Sequence, residues 1–424
     1  MASRYVPRVV DRELDRLLPG LPAIAIDGAK GVGKTATAQQ RAVTTYQLDD
    51  PATLAVAQGQ LSRLVEGVEP ILIDEWQRFP AAWDLVRRAV DSDNRAGRFL
   101  LTGSATAANP TTHSGAGRIV TRRMRPMSLP ERQVASPTVS LAELLAGKAS
   151  IAGDADLTLT DYTHEIVRGG FPGMRHLSDD LNSAALRSYA RLVVDRDVPE
   201  AGLGIRNPAA LTAWLTALAA ATGTITSYER LREAASPGRG NPPAKSTTGP
   251  WQNALERTFV SDPLPAWSPG LNHLGRLAKS AKHYLVDPAL ACSLLDVDED
   301  DLLAGREGGP AVPRDGTLLG AMFEALAGLT IRVAAQAADA SVGHLRRESG
   351  DHEVDFVVSG RRRRHLAIEV KLAEVPAARD ARHLLWLKAR MGDDLTDMVL
   401  LTTGRTAYRR PDGIAVVPLA LLGP

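Results

Sequence analysis

A glycine-rich segment near the N-terminus has the composition and spacing of a phosphate-binding loop. Residues 28–35 read Gly-Ala-Lys-Gly-Val-Gly-Lys-Thr and fit the pattern G-x-x-x-x-G-K-[ST]. Glycines let successive main-chain N–H groups turn toward one anion, and the helix expected from Thr35 to about Val43 points its N-terminal dipole there. Lys34 would reach the β- and γ-phosphates of ATP, and the Thr35 hydroxyl would ligate Mg²⁺. The candidate nucleotide-binding residues are Gly28, Ala29, Lys30, Gly31, Val32, Gly33, Lys34 and Thr35.

The alternative for this segment is a glycine-rich turn between a strand and a helix that binds no ligand. We disfavour it because the apolar run Ala23–Ile26 precedes the segment and a helical pattern follows it. This is the structural context that the motif requires.

Two acidic residues follow a second apolar run, Ile71–Ile73. Ligands of open α/β sheets bind at the carboxyl ends of the strands, so Asp74 and Glu75 should lie opposite the loop. We expect Asp74 to hold Mg²⁺ through a water molecule and Glu75 to act as the general base that polarises the attacking water. An acidic strand end is a weak signal alone, and the loop before it makes the pair specific.

A third apolar run, Phe99–Leu101, ends in polar residues. Ser104 or Thr102 could lie between the two acids and the γ-phosphate and sense the nucleotide. The alternative is a solvated strand end without a role in chemistry.

A basic stretch follows, and it supports three interpretations. The first is a solvated charged face, and the second is a contact with a nucleic-acid backbone. The third is an arginine finger that reaches the nucleotide of a neighbouring subunit, with Arg118 as the candidate. The cations of the stretch are Arg118, Arg122, Arg123, Arg125 and Arg132.

A second chemically suited group lies near the C-terminus. Asp355 and the triplet Glu369-Val-Lys371 fall on two predicted strands that an arginine-rich hairpin joins. Because residues i and i+2 of a strand share a face, Glu369 and Lys371 point the same way and Asp355 can meet them. Such a group suits Mg²⁺ binding and phosphodiester hydrolysis, and Glu324 on the preceding helix could add a ligand. An exposed hairpin with a cross-strand ion pair is the alternative.

The elements that would position these residues follow from hydrophobic patterning. Short apolar runs alternate with helical patterns up to about residue 129, which predicts buried parallel strands. The pattern is mostly helical from Leu141 to Ala221, and it mixes again after a helix near Leu318–Ile331. The predicted strands are Ala23–Ile26, Ile71–Ile73, Phe99–Leu101, Val354–Val358, His365–Val370 and Met398–Thr402.

Two further helices are expected in the middle of the chain, at Thr226–Ala234 and Ser246–Glu256, with Ser246 or Thr247 as the N-cap of the second. They could form a helix-turn-helix with a wing whose second helix reads DNA. Packing of these helices against the ATPase is the equally weighted alternative.

Composition bounds the class of protein. The 424 residues predict two to four domains, and the formal net charge of +1 excludes a protein that coats polyanions along its whole length. A single cysteine excludes an internal disulfide framework and a multi-cysteine zinc site. The most apolar window is read as residues 211–225, too short to cross a bilayer, and no signal peptide is visible. We therefore expect a cytoplasmic protein without a membrane partner.

The ordered series of motifs resembles a prokaryotic family of AAA-type ATPases with a C-terminal restriction-endonuclease-like domain of unassigned role. The resemblance covers nearly the whole chain and is more specific than any one motif. It is carried by residues 28–35, 72–75, 101–104, 117–118, 125–131, 169–173, 196–197, 282–287, 324, 353–356 and 368–371.

The resemblance implies an α/β fold class in four parts. They are a P-loop AAA-type parallel sheet at 1–130, a helical lid at 131–222, a winged-helix-like segment at 223–290 and a restriction-endonuclease-like domain at 291–424. Asp355, Glu369 and Lys371 match the endonuclease pattern. The loop at 236–243 is longer than the family needs.

Three functions are consistent with these features. The leading hypothesis is an Mg²⁺-dependent ATPase that forms homo-oligomers and couples ATP turnover to a DNA-interacting C-terminal half. The first alternative is an ATP-gated nuclease or branched-DNA-processing enzyme. The second is a nucleotide-switched scaffold for a protein partner, with an inactive nuclease fold.

Overall fold

The fold is seen in a computed structural model that describes residues 5–105, 115–236, 242–269, 279–305, 318–347 and 351–424. In these residues it is a mixed α/β structure with two larger sheets, and a helical region lies between them in the chain.

The N-terminal sheet is parallel and has the strand order β2-β3-β4-β1-β5. Its three central strands are apolar and buried, as a sheet covered by helices on both faces requires. Its strands are β1 (Ala23–Asp27), β2 (Thr44–Gln47), β3 (Ile71–Asp74), β4 (Phe99–Gly103) and β5 (Ile119–Arg123). Its helices are α1 (Val9–Leu17), α2 (Lys34–Gln39), α3 (Pro51–Gly59) and α4 (Ala81–Ser92), with 3₁₀ turns at Leu61–Val65, Trp76–Arg78 and Leu129–Arg132.

The three predicted strands of this sheet are confirmed. Strand β2 was not predicted because it is a short, polar edge strand, and β5 was not because its arginines read as a basic stretch. The helix after the loop ends at Gln39 and not near Val43, so the chain turns back early enough to form β2.

The middle of the chain is helical. The helices are α5 (Leu141–Ala146), α6 (Leu159–Arg168), α7 (Asp179–Leu192), a π-helical turn (Val193–Asp197), α8 (Val198–Glu200), α9 (Pro208–Ala220), α10 (Tyr228–Ala234), α11 (Lys245–Arg257), α12 (Pro288–Leu295) and α13 (Glu299–Ala304). The predicted N-cap of α11 is wrong, because that helix already starts at Lys245 and Ala244 is its N-cap residue.

The C-terminal sheet is mixed and has the order β11-β12-β10-β9-β8-β7. The β7-β8-β9 part is antiparallel, and β9, β10 and β12 are parallel. Its elements are α14 (Leu318–Ala337), β7 (Ser341–Arg346), β8 (Glu353–Ser359), β9 (His365–Val370), α15 (Arg382–Met391), β10 (Leu395–Thr402), β11 (Tyr408–Arg409) and β12 (Ala415–Pro418), with 3₁₀ turns at Arg361–Arg363, Ala378–Ala381, Gly392–Asp394 and Leu419–Leu421.

Residues 139–146 lie against the C-terminal part of the chain. Strand β6 (Val139–Ser140) pairs in parallel with β13 (Leu422–Gly423) to form a small sheet of their own, and α5 packs against β10 and β9. One continuous hydrophobic core joins α1, the helical region and α14. The division into four domains stays a prediction.

The long helix α14 is a second strongly apolar stretch, besides residues 211–225, and its hydropathy was not singled out from the sequence. An 18-residue window within Leu318–Ala337 has a mean hydropathy of 1.6, and by length and composition alone it could cross a membrane. Its window is 72% buried inside the protein, as in the core helix of a globular domain.

Candidate functional site

The phosphate-binding loop connects the end of β1 to the start of α2. Gly31 and Gly33 have φ values of 76° and 101°, a conformation that side chains with a Cβ rarely adopt. A Cβ on Gly28 would lie 2.1 Å from the main-chain oxygen of Met124. The pattern glycines are therefore required by the backbone of this turn.

The loop's lysine is buried and points back over the loop. The Lys34 ammonium donates hydrogen bonds of 2.8 Å to the main-chain oxygens of both Gly28 and Ala29. Burial lowers the pKa of Lys34 to about 8, although Glu75, Asp27 and Asp74 favour its charged form. The Lys34 ammonium thus lies at the turn of the loop, bonded to carbonyl oxygens that a phosphate could replace.

Asp74 receives two hydroxyl groups at the end of β3. Thr35 donates to Asp74 over 2.8 Å, and Thr102 on β4 donates to the same carboxylate oxygen. Burial raises the pKa of Asp74, and these hydroxyls oppose that shift. A hydroxyl and a carboxylate are the hard oxygen donors that Mg²⁺ prefers, so Thr35 and Asp74 fit the predicted metal role.

Two side chains, those of Ser104 and Gln77, donate hydrogen bonds to Glu75. The Ser104 hydroxyl donates to Glu75 over 2.9 Å, and the Gln77 amide donates to the same carboxylate oxygen over 2.5 Å and to Ser104 over 3.1 Å. Glu75 itself has a φ of 55°. Thr102 and Ser104 thus each orient one of the two acids, and Gln77 was missed because a glutamine two residues after an acid has no distinctive pattern.

The other loop residues connect it to the rest of the protein. Ala29 and Val32 are buried in the core. Lys30 pairs with Asp197 at 2.6 Å and with Glu200 at 2.8 Å, and so fastens the loop's tip to the helical region. The predicted nucleotide contacts of Ala29, Lys30 and Val32 can involve only their main chain in this conformation.

Arg8 was missed by the sequence analysis and braces the loop from behind. Its guanidinium donates to the main-chain oxygens of Val32 over 2.7 Å and of Arg125 over 2.8 Å, and it pairs with Glu131 at 3.0 Å. Its partners lie up to 123 positions away, so no local pattern signals this role.

Arg118, the predicted finger, lies at the amino ends of the strands, whereas the loop of its own chain lies at their carboxyl ends. It precedes β5, which starts level with Ala23 at the beginning of β1, whereas the loop follows the end of β1. Its guanidinium pairs with Asp91 at 2.7 Å and is about half exposed. Action on a neighbouring subunit stays a prediction.

The basic stretch is not a solvated face, and this interpretation is wrong for four of its five arginines. Their acidic partners come from distant parts of the chain, so the stretch joins the sheet to the helical region and to α14. The ion pairs are Arg122–Glu13, Arg123–Asp262, Arg125–Asp262 and Arg132–Glu165.

Asp262 is the centre of the largest of these groups, here called the Asp262 cluster. It pairs with Arg125 and Arg332 at 2.8 Å each and with Arg123 at 3.8 Å. Burial alone would raise the pKa of this carboxyl, but the three guanidinium groups outweigh burial and hold it well below its usual range. Arg123 also faces Asp27, whose pKa burial raises to about 6 beside Lys34.

The four predicted residues near the C-terminus come together. Asp355 accepts the main-chain N–H of Val370 over 3.0 Å, and Lys371 donates to Glu369 over 2.7 Å. Glu324 approaches from α14, as predicted, and Tyr284 donates a hydrogen bond to it.

A fifth residue, Lys282, lies at the centre of this group. Its ammonium is 3.0 Å from Glu324, 3.0 Å from Glu353 and 3.1 Å from Asp355. We call Glu324, Glu353, Asp355 and Glu369 the acidic cluster. From the sequence, Lys282 stood out only within residues 282–287 of the family resemblance, and its distance in sequence from the acids hid this role.

Burial sets the titration of the cluster. It raises the pKa of Glu324 to about 7 and that of Glu369 to about 8, and in both cases nearby Asp355 adds to the shift. Burial would raise the pKa of Asp355 too, but Lys282 and Lys371 reverse the direction and lower it.

Comparison with known families agrees with the geometry of the N-terminal site. Residues 21–133 match a family described as an AAA domain, residues 159–301 match a domain of unknown function, DUF8612, and residues 319–422 match another, DUF4143. The AAA match, with the loop and the two acids, supports a P-loop ATPase family. The DUF4143 match leaves the restriction-endonuclease-like fold of the tail as a prediction.

The chain is also similar to curated proteins and to a solved structure. Uncharacterized proteins of Mycobacterium tuberculosis (Rv2008c) and Mycobacterium bovis (Mb2031c) are each 26% identical over 299 residues. The match covers 68% of this chain and 59% of each relative. A Walker-type ATPase of Pyrococcus abyssi aligns with 12% identity and a TM-score of 0.41, over 67% of this chain and 94% of that one. A likeness of that degree does not establish a shared fold.

Proposed function

We propose that this protein binds and hydrolyses ATP with Mg²⁺ and couples turnover to its C-terminal half. The observation that carries the proposal is the arrangement around Asp74 and Glu75. Hydroxyls from the loop and from β4 meet at Asp74, and two side chains hold Glu75 beside it. Lys34 is close enough to Asp74 and Glu75 for both carboxylates to favour its charged form.

Each residue then has one task in the reaction. The Lys34 ammonium exchanges its two carbonyl acceptors for phosphate oxygens. Mg²⁺, when bound, offsets phosphate charge. Glu75 accepts a proton from the water that attacks the γ-phosphate, and Ser104 and Gln77 keep the carboxylate in place for that transfer. The products are ADP and inorganic phosphate.

Two substitutions test the proposal in opposite ways. Lys34→Ala should lose ATP binding, whereas Glu75→Gln should bind ATP normally but turn it over at least about 100-fold more slowly. Glu66→Gln, on an exposed carboxylate, is the matched control and should behave as wild type. Full turnover by Glu75→Gln would refute the assignment of the base, and wild-type protein that ignores millimolar ATP would refute the whole proposal.

Coupling is supported by the chain of charges between the two sites. Asp27 ends β1 near Lys34 and faces Arg123, which reaches Asp262, and Asp262 in turn holds Arg332 on α14. A change of charge at the nucleotide therefore acts on groups that continue toward the acidic cluster.

A DNA partner and an oligomer remain proposals with their own support. The hairpin after β8 exposes its arginines, with Arg361 82% and Arg363 75% exposed, which suits contact with phosphates. DNA affinity that falls steeply with added salt would support this reading. Arginine fingers raise rates by about 10³–10⁵, so turnover that rises steeply with protein concentration and is lost in Arg118→Ala would support an oligomer.

The nucleotide-switched scaffold is the second candidate, and the position of Lys282 favours it over the nuclease. An ammonium at the centre of the acids stands where phosphodiester hydrolysis would need a metal ion. Absence of DNA binding at low salt would favour the scaffold further.

A further inference from the structure

The acidic cluster does not fit the divalent cation that its resemblance to nucleases implies. A divalent ion there would use oxygens of Asp355 and Glu369. In the structure the Lys282 ammonium is already 3.0–3.1 Å from three carboxylates, and its side chain is 2% exposed. A lysine ammonium has three N–H donors, and three carboxylates surround it here.

The main chain fixes Lys282 in this position. Its N–H and C=O groups both pair with Leu264, at 3.0 and 2.9 Å. Two residues further along, Tyr284 donates to Glu324 from the same side of the segment. On the other side, His344 of β7 lies 3.0 Å from the main-chain oxygen of Ser280. The hydrogen bonds of its segment therefore fix the Lys282 ammonium inside the cluster, and it is not a flexible surface charge.

Glu369 has a carboxyl oxygen that no donor in the described residues uses. One carboxylate oxygen of Glu369, Oε2, is buried and has no hydrogen-bond partner, and the residue is only 5% exposed. Within the described residues, four carboxyl groups of the cluster face two ammonium groups, those of Lys282 and Lys371. Removal of Lys282 would leave three carboxyl groups around the position of its ammonium, and carboxylate oxygens are the ligands that hard divalent cations prefer.

We propose that Lys282 is a built-in counter-ion that excludes divalent cations from the acidic cluster, which takes up such an ion only when Lys282 leaves or loses its charge. A dication held by Asp355 and Glu369 would share Asp355 with the ammonium and repel it at close range. This inference stands apart from the ATPase proposal, because it concerns only residues of the tail and the segment that carries Lys282.

The test is Mn²⁺ binding to the full-length, nucleotide-free protein, followed by electron paramagnetic resonance. Lys282→Ala should gain one Mn²⁺ site at least about tenfold tighter than any that wild type shows at the cluster. The site should disappear in the double variant Lys282→Ala/Glu369→Gln. Lys279→Ala removes the same charge from the same segment outside the cluster, and it should match wild type. Any binding at the phosphate loop is common to all variants and cancels.

Two results would overturn the proposal. One is a wild-type Mn²⁺ site that Glu369→Gln removes, and the other is folded Lys282→Ala protein that gains none. If Lys282→Ala fails to fold, wild type and Glu369→Gln alone decide: equal Mn²⁺ binding by the two supports exclusion, and a loss in Glu369→Gln refutes it.

Discussion

The Asp262 cluster gives the sharpest test of how the parts of this protein are held together. Asp262→Asn keeps the shape of the side chain but removes its charge. Arg125, Arg332 and Arg123 would then lie together without their acid, and the first two would lose ion pairs of 2.8 Å. The Asp262 side chain is only 14% exposed, so water replaces the lost charge poorly.

The expected magnitude follows from this geometry. At an effective dielectric constant of about 20, one pair of unit charges about 4 Å apart interacts by about 4 kcal/mol, before desolvation is subtracted. Removing one partner of a buried pair costs about 3–5 kcal/mol, because the other charge stays buried. We expect Asp262→Asn to lower the free energy of unfolding by this amount at pH 7.

The assay is urea denaturation of full-length wild type and variant. Asp179→Asn is the matched control, because Asp179 also pairs with an arginine, at 2.6 Å, but is 75% exposed, and it should cost less than about 1 kcal/mol. The pKa of Asp262 is lowered on folding, so its contribution is complete above pH 4 and fades only as the pH falls through the folded pKa.

A loss below about 1 kcal/mol in Asp262→Asn, equal to that of Asp179→Asn, would refute the reasoning. It would mean that the three arginines pair with other acids or with water once Asp262 is neutral. The Asp262 cluster would then not hold β5 and α14 together.

Two further predictions concern the nucleotide site. The pKa of Lys34 is lowered to about 8, so above that pH Lys34 is neutral in the free protein and must take up a proton when ATP binds. The Kd for ATP, measured by isothermal titration calorimetry, should therefore stay flat from pH 7 to 8 and then rise about tenfold per pH unit. Ser104→Ala removes the 2.9 Å hydrogen bond to Glu75 and should lower kcat by about tenfold or more with little change in KM, measured as phosphate release.

Both predictions have matched controls. Lys34→Arg keeps its charge throughout and should show no rise in Kd between pH 8 and 9.5; a rise like that of wild type would assign the proton to another group. Ser62→Ala removes an exposed hydroxyl that also donates to a glutamate, and it should leave kcat unchanged. An increase in KM without a change in kcat for Ser104→Ala would place Ser104 in nucleotide binding.

The arrangement of the candidate nucleotide site was predictable because its residues are local in sequence. Eight consecutive residues form the loop, and Asp74 and Glu75 follow an apolar run whose strand type fixes the edge where they emerge. The convergence of Asp355, Glu369 and Lys371 was predictable for the same reason, since alternation along β8 and β9 determines their face.

What sequence could not show are the long-range ion pairs. Arg8, Asp262 and Lys282 each have a charged partner 70 or more positions away, and a single charged residue carries no signal of its partner. The basic stretch was misread for this reason: a run of arginines looks solvated until the fold brings Glu13, Glu165 and Asp262 against it.

A pair of hydrogen-bonded segments, residues 262–264 and 282–284, reaches both candidate sites and connects them physically. The main-chain N–H of Asp262 donates to the oxygen of Tyr284 over 2.9 Å, and the next pair along joins Leu264 to Lys282. Asp262 faces the arginine at the end of β5, next to the strand that leads into the phosphate loop, whereas Lys282 and Tyr284 reach into the acidic cluster. Because these residues share main-chain hydrogen bonds, we expect a displacement of Asp262 to move both hydrogen-bonded segments together. The candidate nucleotide site and the counter-ion of the acidic cluster are therefore joined through this pair of segments, which forms a contiguous route between them.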